Sequence, residues 1–358
     1  MFAFFHKHIK LIIATVILAG VAFGIDDHST ADTSTNSSKT STSAKVSVQA
    51  TYPIHAHAYA LRKNATLYTD ARLSQGMSAK PLLKDTWYRS QAAKLLVKGK
   101  PAVAYKLTNA SGKYTYWALH SSVKSINSKS FNVKLAAAGN QFTNKRIGFF
   151  GDSIPAGWDG YHFYLNNAYG DWLAKYLGTN NRIINEAVPS AKIVGHRFAY
   201  VGPILKPQDL TMQIRYHKSA IQKMNMIFIH IGTNDYTNFS NSGSLENVIN
   251  HLKRNVQYIQ KLNPNAKIYG VLPISRYTAN GFNRENIMND SQYTYGQLRH
   301  EEALMYRRLG ATVIDFQQFA PDVITSENKD VTLEDREIHP TAQTAQKLGY
   351  ALARKLAD

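Results

Sequence analysis

Four short groups of residues carry the types that acyl-transfer chemistry needs. Gly151-Asp152-Ser153 offers a hydroxyl on what reads as a tight turn after an apolar strand. The stretch from Asn185 through Ala187-Val188-Pro189 to Ser190 is the second group, Gly232-Thr233-Asn234-Asp235 the third, and His339-Pro340 the fourth. A serine hydroxyl is a weak nucleophile until a neighbouring imidazole takes its proton. Ser153 and His339 have the right types for that pair, provided folding brings together two residues far apart in the chain. Each also has a plainer reading: Ser153 as a helix cap, His339-Pro340-Thr341 as an ordinary helix start, Asn234 and Asp235 as turn formers.

These groups need a scaffold that collects them. Apolar strands are expected at 146–150, 182–188, 226–231, 266–272 and 311–316, and helices at 169–177, 209–224, 245–262, 293–309 and 341–356. In 209–224 the apolar residues Leu210, Ile214, Ile221 and Met224 fall partly at helical spacing. Strands alternating with helices, and apolar on both faces, imply an α/β fold with a parallel sheet covered on both sides. Active sites in such folds lie at the carboxyl ends of the strands. Three of the four groups fall there, and the fourth shortly precedes the last helix.

The order and placement of the groups resemble the four sequence blocks of the SGNH (GDSL-like) hydrolases, from about residue 145 to the C-terminus. The resemblance implies a three-layer, flavodoxin-like hydrolase domain over 145–358, with Ser153 as nucleophile and His339 as base. It also implies an oxyanion hole, a set of hydrogen-bond donors for the charge that develops on the substrate oxygen. The family's donors map to the backbone N–H groups of Ser153 and Ser190 and to the Asn234 side chain. The family pattern has glycine where this chain has Ser190, and a backbone N–H does not require glycine, although glycine tolerates a wider range of φ. The family also places Asp three residues before the histidine, where this chain has Arg336. Asp335 lies four before and Glu337 two before. Positions four apart share a helical face and positions two apart do not, which favours Asp335 as the group that orients His339. Glu337, or a backbone carbonyl in a Ser-His dyad, remain the alternatives.

Composition narrows the setting. With 358 residues and no cysteine, the chain has no disulfide framework, cysteine zinc site or catalytic thiol, and must rely on its core. His162, His196, His217, His230 and His300 show no ligand spacing, so neither metal nor cofactor is expected. Lys7 and Lys10 precede an apolar run from Leu11 to Phe23 that ends in Ala22-Phe23-Gly24. This reads as an export signal over 1–24, too short for a comfortable membrane span, which takes ~20 residues; an uncleaved anchor is the alternative. Residues 25–50, rich in Ser, Thr, Ala and Asp, read as a disordered spacer.

Between 51 and 126 short β-prone runs (65–69, 86–90, 93–99, 102–107 and 114–119) alternate with turn signals, the pattern of a small antiparallel barrel. Leu67-Tyr68, Thr86-Trp87-Tyr88, Ala104-Tyr105-Lys106-Leu107, Ser111-Gly112-Lys113 and Tyr116-Trp117 resemble the SH3-like and surface-layer modules of Gram-positive cell-wall proteins. A polar connector follows at 127–144, with strand tendency in Phe131-Asn132-Val133. The net charge is +18, and residues 51–145 contribute 15 lysines and arginines against only Asp70 and Asp85. Such a field attracts polyanions, and the export signal favours an anionic wall polymer (teichoic acid or peptidoglycan) over nucleic acid. The expectation is therefore a secreted or wall-associated serine esterase acting on acyl esters, with O-acetylated glycans as one substrate class. A wall-binding surface protein whose hydrolase fold has lost activity and an extracellular lipase or thioesterase are the alternatives.

Overall fold

The computed structural model describes residues 46–110, 112–127, 133–164, 166–181 and 183–358. The stretch read as an export signal, the stretch read as a spacer as far as residue 45, and Phe131 and Asn132 of the connector lie outside the described residues. Among the described residues no helix is long and apolar enough to cross a membrane.

Seven strands come first: β1 (Val46–Leu61), β2 (Thr66–Tyr68), β3 (Gly76–Ser78), β4 (Thr86–Val97), β5 (Lys100–Asn109), β6 (Thr115–Leu119) and β7 (Val123–Ser125). They pair antiparallel in the order β3-β2-β6-β5-β4-β1-β7. β1 begins at Val46, inside the stretch read as spacer, because Val46 and Val48 pair with Val97 and Leu95. The runs at 86–90 and 93–99 are one strand, β4, with a bulge between Arg89 and Gln91 that lets it bend. The β4–β5 turn is Lys98-Gly99, both at positive φ (51° and 77°), the backbone that a two-residue hairpin requires. Pro101 belongs to β5 instead of the turn, in a stretch that β6 does not reach. The bends give this lobe two small cores: Tyr59, Leu67, Trp87 and Leu107 in one, Ala93, Leu95, Ala104 and Trp117 in the other.

The remaining chain builds a parallel sheet from β8 (Ile147–Gly151), β9 (Ile184–Asn185), β12 (Met226–His230), β13 (Lys267–Val271) and β14 (Thr312–Ile314). A separate antiparallel ribbon consists of β10 (Phe198–Val201) and β11 (Ile204–Pro207). The sheet order is β14-β13-β12-β8-β9, so the first strand of the sheet lies between the second and the third. This is the flavodoxin-like order, which opens a crevice at the carboxyl end of that first strand.

Helices cover both faces, and the period-2 alternation of the strands feeds each side. Phe149, Phe228 and Tyr269 point to one face and stack with ring centroids 4.8 and 4.5 Å apart. They share a buried cluster with α2 (Tyr169–Leu177) and α9 (Ala342–Ala357). Phe150, Ile227 and Ile229 point the other way, into a cluster with α3 (Leu210–Tyr216), α4 (Lys218–Ile221), α5 (Leu245–Leu262) and α6 (Tyr295–Arg308). Shorter helices are α1 (Ser153–Ala156), α7 (Phe316–Phe319) and α8 (Lys329–Thr332).

Two expected elements differ. The helix at 209–224 breaks at His217 (φ −109°, ψ 24°), because between Ile214 and Ile221 almost nothing apolar is available to bury. The strand at 182–188 shrinks to Ile184–Asn185, since β9 is an edge strand with β8 as its one neighbour.

The two lobes share a core. Ala58 and Tyr88 of the antiparallel lobe belong to the same buried cluster as Trp172 and Tyr176 of α2. The Tyr176 hydroxyl donates to the Ala110 carbonyl at 3.0 Å. Gln346 of α9 donates to the Asn109 carbonyl at 3.1 Å and to the Tyr176 hydroxyl at 2.9 Å.

Candidate active site

The turn after β8 is built around one residue without a side chain. Gly151 has φ 148°, and a Cβ there would sit 1.9 Å from the His230 carbonyl oxygen, so the position admits glycine alone. Its N–H and C=O are both held by the buried side-chain amide of Gln213 on α3, at 2.9 Å each. Asp152 then caps α1, accepting from the Ile154 N–H at 3.1 Å. Ser153 is thereby the first residue of α1, at the carboxyl end of β8. Asp152 is buried, and burial pushes its carboxyl up to about 7 against the pull of the Ile154 N–H and of His339. Its role is to hold the turn; among the described residues its other oxygen, Oδ2, has no hydrogen-bond partner.

The fourth group comes to meet the first. His339 Nε2 lies 2.9 Å from Ser153 Oγ, and His339 Nδ1 lies 2.6 Å from Asp335 Oδ2. The other oxygen of Asp335 accepts the backbone N–H groups of Glu337, Ile338 and His339 at 3.0, 2.9 and 3.0 Å. Burial alone would raise the Asp335 pKa, but the His339 hydrogen bond and these three donors outweigh it and bring it to about 2. An ionised Asp335 keeps the proton on Nδ1 and leaves Nε2 free to accept from the serine.

The four-residue spacing works for a different reason from the helical face expected of it. Residues 335–339 form a loop in which Arg336 takes φ 60° and the Glu334 N–H closes onto the His339 carbonyl at 2.7 Å. The carboxylate folds back over its own following amides and so reaches the imidazole. Among the described residues the Glu337 side chain makes no hydrogen bond to His339, while its carbonyl accepts from the Tyr277 N–H at 2.8 Å. Gly160 (φ 102°) backs the pair closely: a Cβ there would lie 3.3 Å from His339 Nδ1 and 3.4 Å from Asp335 Cβ.

The second and third groups flank the serine. Ser190 adopts φ 62°, the left-handed backbone that glycine takes without strain, which gives the family's glycine a physical reason. The peptide unit that carries the Ser190 N–H is fixed because Gln208 donates to the Pro189 carbonyl at 2.9 Å. In a trans peptide the N–H then points the opposite way. Arg197 donates to the Ser190 carbonyl at 2.6 Å. Among the described residues the N–H groups of Ser153 and Ser190 have no protein acceptor. Asn234 uses one side-chain N–H on the Ala191 carbonyl at 2.9 Å, which leaves the second for another acceptor. Asp235, read as a turn former, clamps the same loop. It accepts from the N–H groups of Ile193 and Val194 at 2.7 and 3.1 Å and from the Ser242 hydroxyl at 2.8 Å. Burial raises its pKa to about 6 despite these donors.

Gln213, Gly160 and the clamp of Asp235 were not legible beforehand. Each acts across long sequence separations on a backbone atom or an empty space, and neither leaves a pattern in the chain. Of the remaining histidines, His230 is buried with Nδ1 3.0 Å from the Tyr169 hydroxyl, and His217 lies 3.2 Å from Glu186. Among the described residues no cluster of three or more His, Asp or Glu could hold a metal ion. A cavity of about 380 Å³ adjoins the second group, lined by Ala156, Ala187, Pro189, Val201 and Ile204 together with Lys206.

Residues 149–347 match the family described as GDSL-like Lipase/Acylhydrolase. Comparison with curated proteins gives no match. Among solved structures, the chain is similar to a carbohydrate acetylesterase family member from Sinorhizobium meliloti, with 16% identity and a TM-score of 0.44 over 59% of this chain and 97% of that one. It is also similar to the inhibitor-bound aryl esterase of M. smegmatis, with 19% identity and a TM-score of 0.43 over 59% of this chain and 98% of that one.

Proposed function

The chain belongs to the GDSL-like lipase/acylhydrolase family, and on that premise we propose that it is a secreted or wall-associated esterase that works through an acyl-enzyme on Ser153. The observation that carries this reading is the continuous relay from Ser153 Oγ to His339 Nε2 (2.9 Å) and from His339 Nδ1 to Asp335 Oδ2 (2.6 Å).

In the first half-reaction Ser153 Oγ attacks the ester carbonyl carbon while its proton passes to His339 Nε2. The imidazolium that forms is stabilised by Asp335, which stays ionised. The carbonyl oxygen becomes an oxyanion facing the N–H groups of Ser153 and Ser190 and the free N–H of Asn234. Each such donor is worth ~2.7–4 kcal/mol in comparable sites. Collapse breaks the bond to the alcohol oxygen, which leaves with the proton from His339. Water then attacks the acyl-enzyme with His339 again as base, releasing the carboxylic acid and restoring the serine.

The displaced acid is no sign of a dead site, because Asp335 is within hydrogen-bond reach of the imidazole. The serine in place of glycine is no obstacle either, since its backbone takes the left-handed geometry. Acyl esters on O-acetylated wall glycans are the proposed substrates, and the basic antiparallel lobe — exposed Lys94, Lys98, Lys100 and Lys124 among its residues — is the proposed contact to anionic wall polymer.

The test is labelling with a fluorophosphonate, which reacts with activated serines, followed by peptide mapping. Label on Ser153, lost in His339→Ala, is the expected result. An unlabelled protein, or label on another serine, refutes the assignment.

A further inference from the structure

A second cavity lies away from the Ser153 relay, on the helical face formed by α3, α4 and α5. Its volume is about 500 Å³, within the ~300–1,000 Å³ of small-molecule sites. Five of its lining residues are basic or titratable to a cation: His196, Arg215, Lys218, His251 and Arg254. None of its lining residues is acidic.

The sequence builds this wall by helical periodicity. On α5, residues 251, 254, 255 and 258 follow the i, i+3, i+4, i+7 spacing of one face, beside the buried stripe of Val248, Leu252, Val256 and Ile259. On α3, Thr211 and Arg215 are four apart, and the break at His217 turns Lys218 toward the same space. Asn255 donates to the Thr211 hydroxyl at 3.2 Å, tying the two helices at the floor. Lys218 Nζ sits 5.8 Å from the centroid of the Tyr258 ring. Among the described residues no carboxylate lies within ion-pair distance of any of the five basic side chains.

Three positive charges, Arg215, Lys218 and Arg254, surround one concavity and repel one another, and among the described residues no carboxylate pairs with them. Burial, and then Arg254 and His196, push the His251 imidazole below its usual range. A cation would meet only like charge here. A multiply charged anion would relieve the repulsion, and guanidinium forks from two separate helices match the paired oxygens of a phosphate. We propose that this cavity is a binding site for phosphate groups, held chiefly by Arg215 and Arg254 with Lys218 as a third charge. The space exceeds what one phosphate occupies, so the ligand carries its phosphate on a larger group or presents two phosphates in succession. This site is independent of the esterase reading and needs no turnover.

The experiment is calorimetric titration of the full chain with inorganic pyrophosphate and, separately, with a short poly(glycerol phosphate). Binding is expected for at least one of them, weakened tenfold or more in the double variant Arg215→Gln/Arg254→Gln. Polymer binding that the double variant loses and that Lys94→Gln/Lys98→Gln/Lys100→Gln on the antiparallel lobe retains assigns the site to a polymer's phosphodiesters, and pyrophosphate binding lost alone in the double variant assigns it to a small soluble phosphate. The variant should melt at the wild-type temperature or higher without ligand, since it removes repulsion, and pyrophosphate should raise the melting temperature of the wild type more than that of the variant. A control, Lys94→Gln/Lys98→Gln/Lys100→Gln on the antiparallel lobe, should bind pyrophosphate as the wild type does. The proposal is overturned if neither probe binds at low ionic strength, if the double variant binds as tightly as the wild type, or if the control loses as much affinity as the double variant.

Discussion

The parallel-sheet lobe and the antiparallel lobe use charge on opposite scales. In the former, the proposed chemistry hangs on two contacts, 2.9 Å between Ser153 and His339 and 2.6 Å between His339 and Asp335. In the latter, 12 basic residues stand against Asp70 and Asp85 over residues 51–126, and no single charge dominates. Short hydrogen bonds fail when one atom is removed. A field summed over many exposed charges weakens in steps and is screened by salt over ~8–10 Å. Tolerance to substitution should therefore differ sharply between two lobes that share one core.

The largest expected effect is at the nucleophile. Ser153→Ala should lower kcat on a short-chain nitrophenyl ester by roughly 10⁶-fold with the fold intact, and adding His339→Ala should cost little more, because the pair acts as a unit. Retained activity in Ser153→Ala would show that the relay is not the catalyst.

Asp335→Asn should cost ~10–100-fold less than His339→Ala, and Glu337→Gln should stay near wild type. The reverse ranking would move the orienting role to Glu337. The same residue makes a pH-dependent contribution to stability. Its folded pKa, about 2, lies below the unfolded value of ~3.9. The contribution is thus fully present above about pH 4 and is lost as pH falls toward 2. Chemical denaturation should show wild type and Asp335→Asn well separated at pH 6 and converging near pH 2. A constant separation would mean that the ionised carboxylate is not what stabilises the loop.

On the other side of the comparison, Lys94→Gln/Lys98→Gln/Lys100→Gln should reduce co-sedimentation with teichoic acid-bearing walls by a few-fold at low salt. It should leave kcat on the small ester unchanged. Unchanged sedimentation would remove the β4–β5 end of the lobe from the proposed wall contact. The smallest effect is at Ser190, whose left-handed backbone costs about 1 kcal/mol. Ser190→Gly should be neutral or stabilise by up to ~1 kcal/mol while activity persists, and clear destabilisation would show that the serine side chain supports the loop.

The antiparallel lobe also shows where pattern reading stops. Lys94, Lys98, Lys100 and Lys124 face outward. Lys106 does not: burial lowers its pKa, opposed by the nearby Glu334, the residue beside Asp335. Trp87, Tyr88 and Trp117, all part of the resemblance to wall modules, are buried, Tyr88 against α2. Alternation reports which residues share a face of a strand, but not which face another lobe will cover.

What the chain determined by itself is local. The helices at 169–177 and 245–262 coincide with α2 and α5, because apolar stripes and caps such as Ser244 lie within the segments they define. The strand-turn-serine unit is equally self-contained, as Gly151, Asp152 and Ser153 adjoin the strand that ends there. Only the tertiary structure decided that Asp335 and not Glu337 meets His339, that Ser190 takes a glycine's backbone, and that the basic lobe is fastened to α2 and α9. Ser153 and His339 are 186 residues apart, and Gln346 meets Asn109 across 237. Nearest-neighbour chemistry sets φ, ψ and periodicity over a few residues. Which distant groups meet depends on how whole faces pack, and that is settled by the sum of many weak contacts spread along the entire chain.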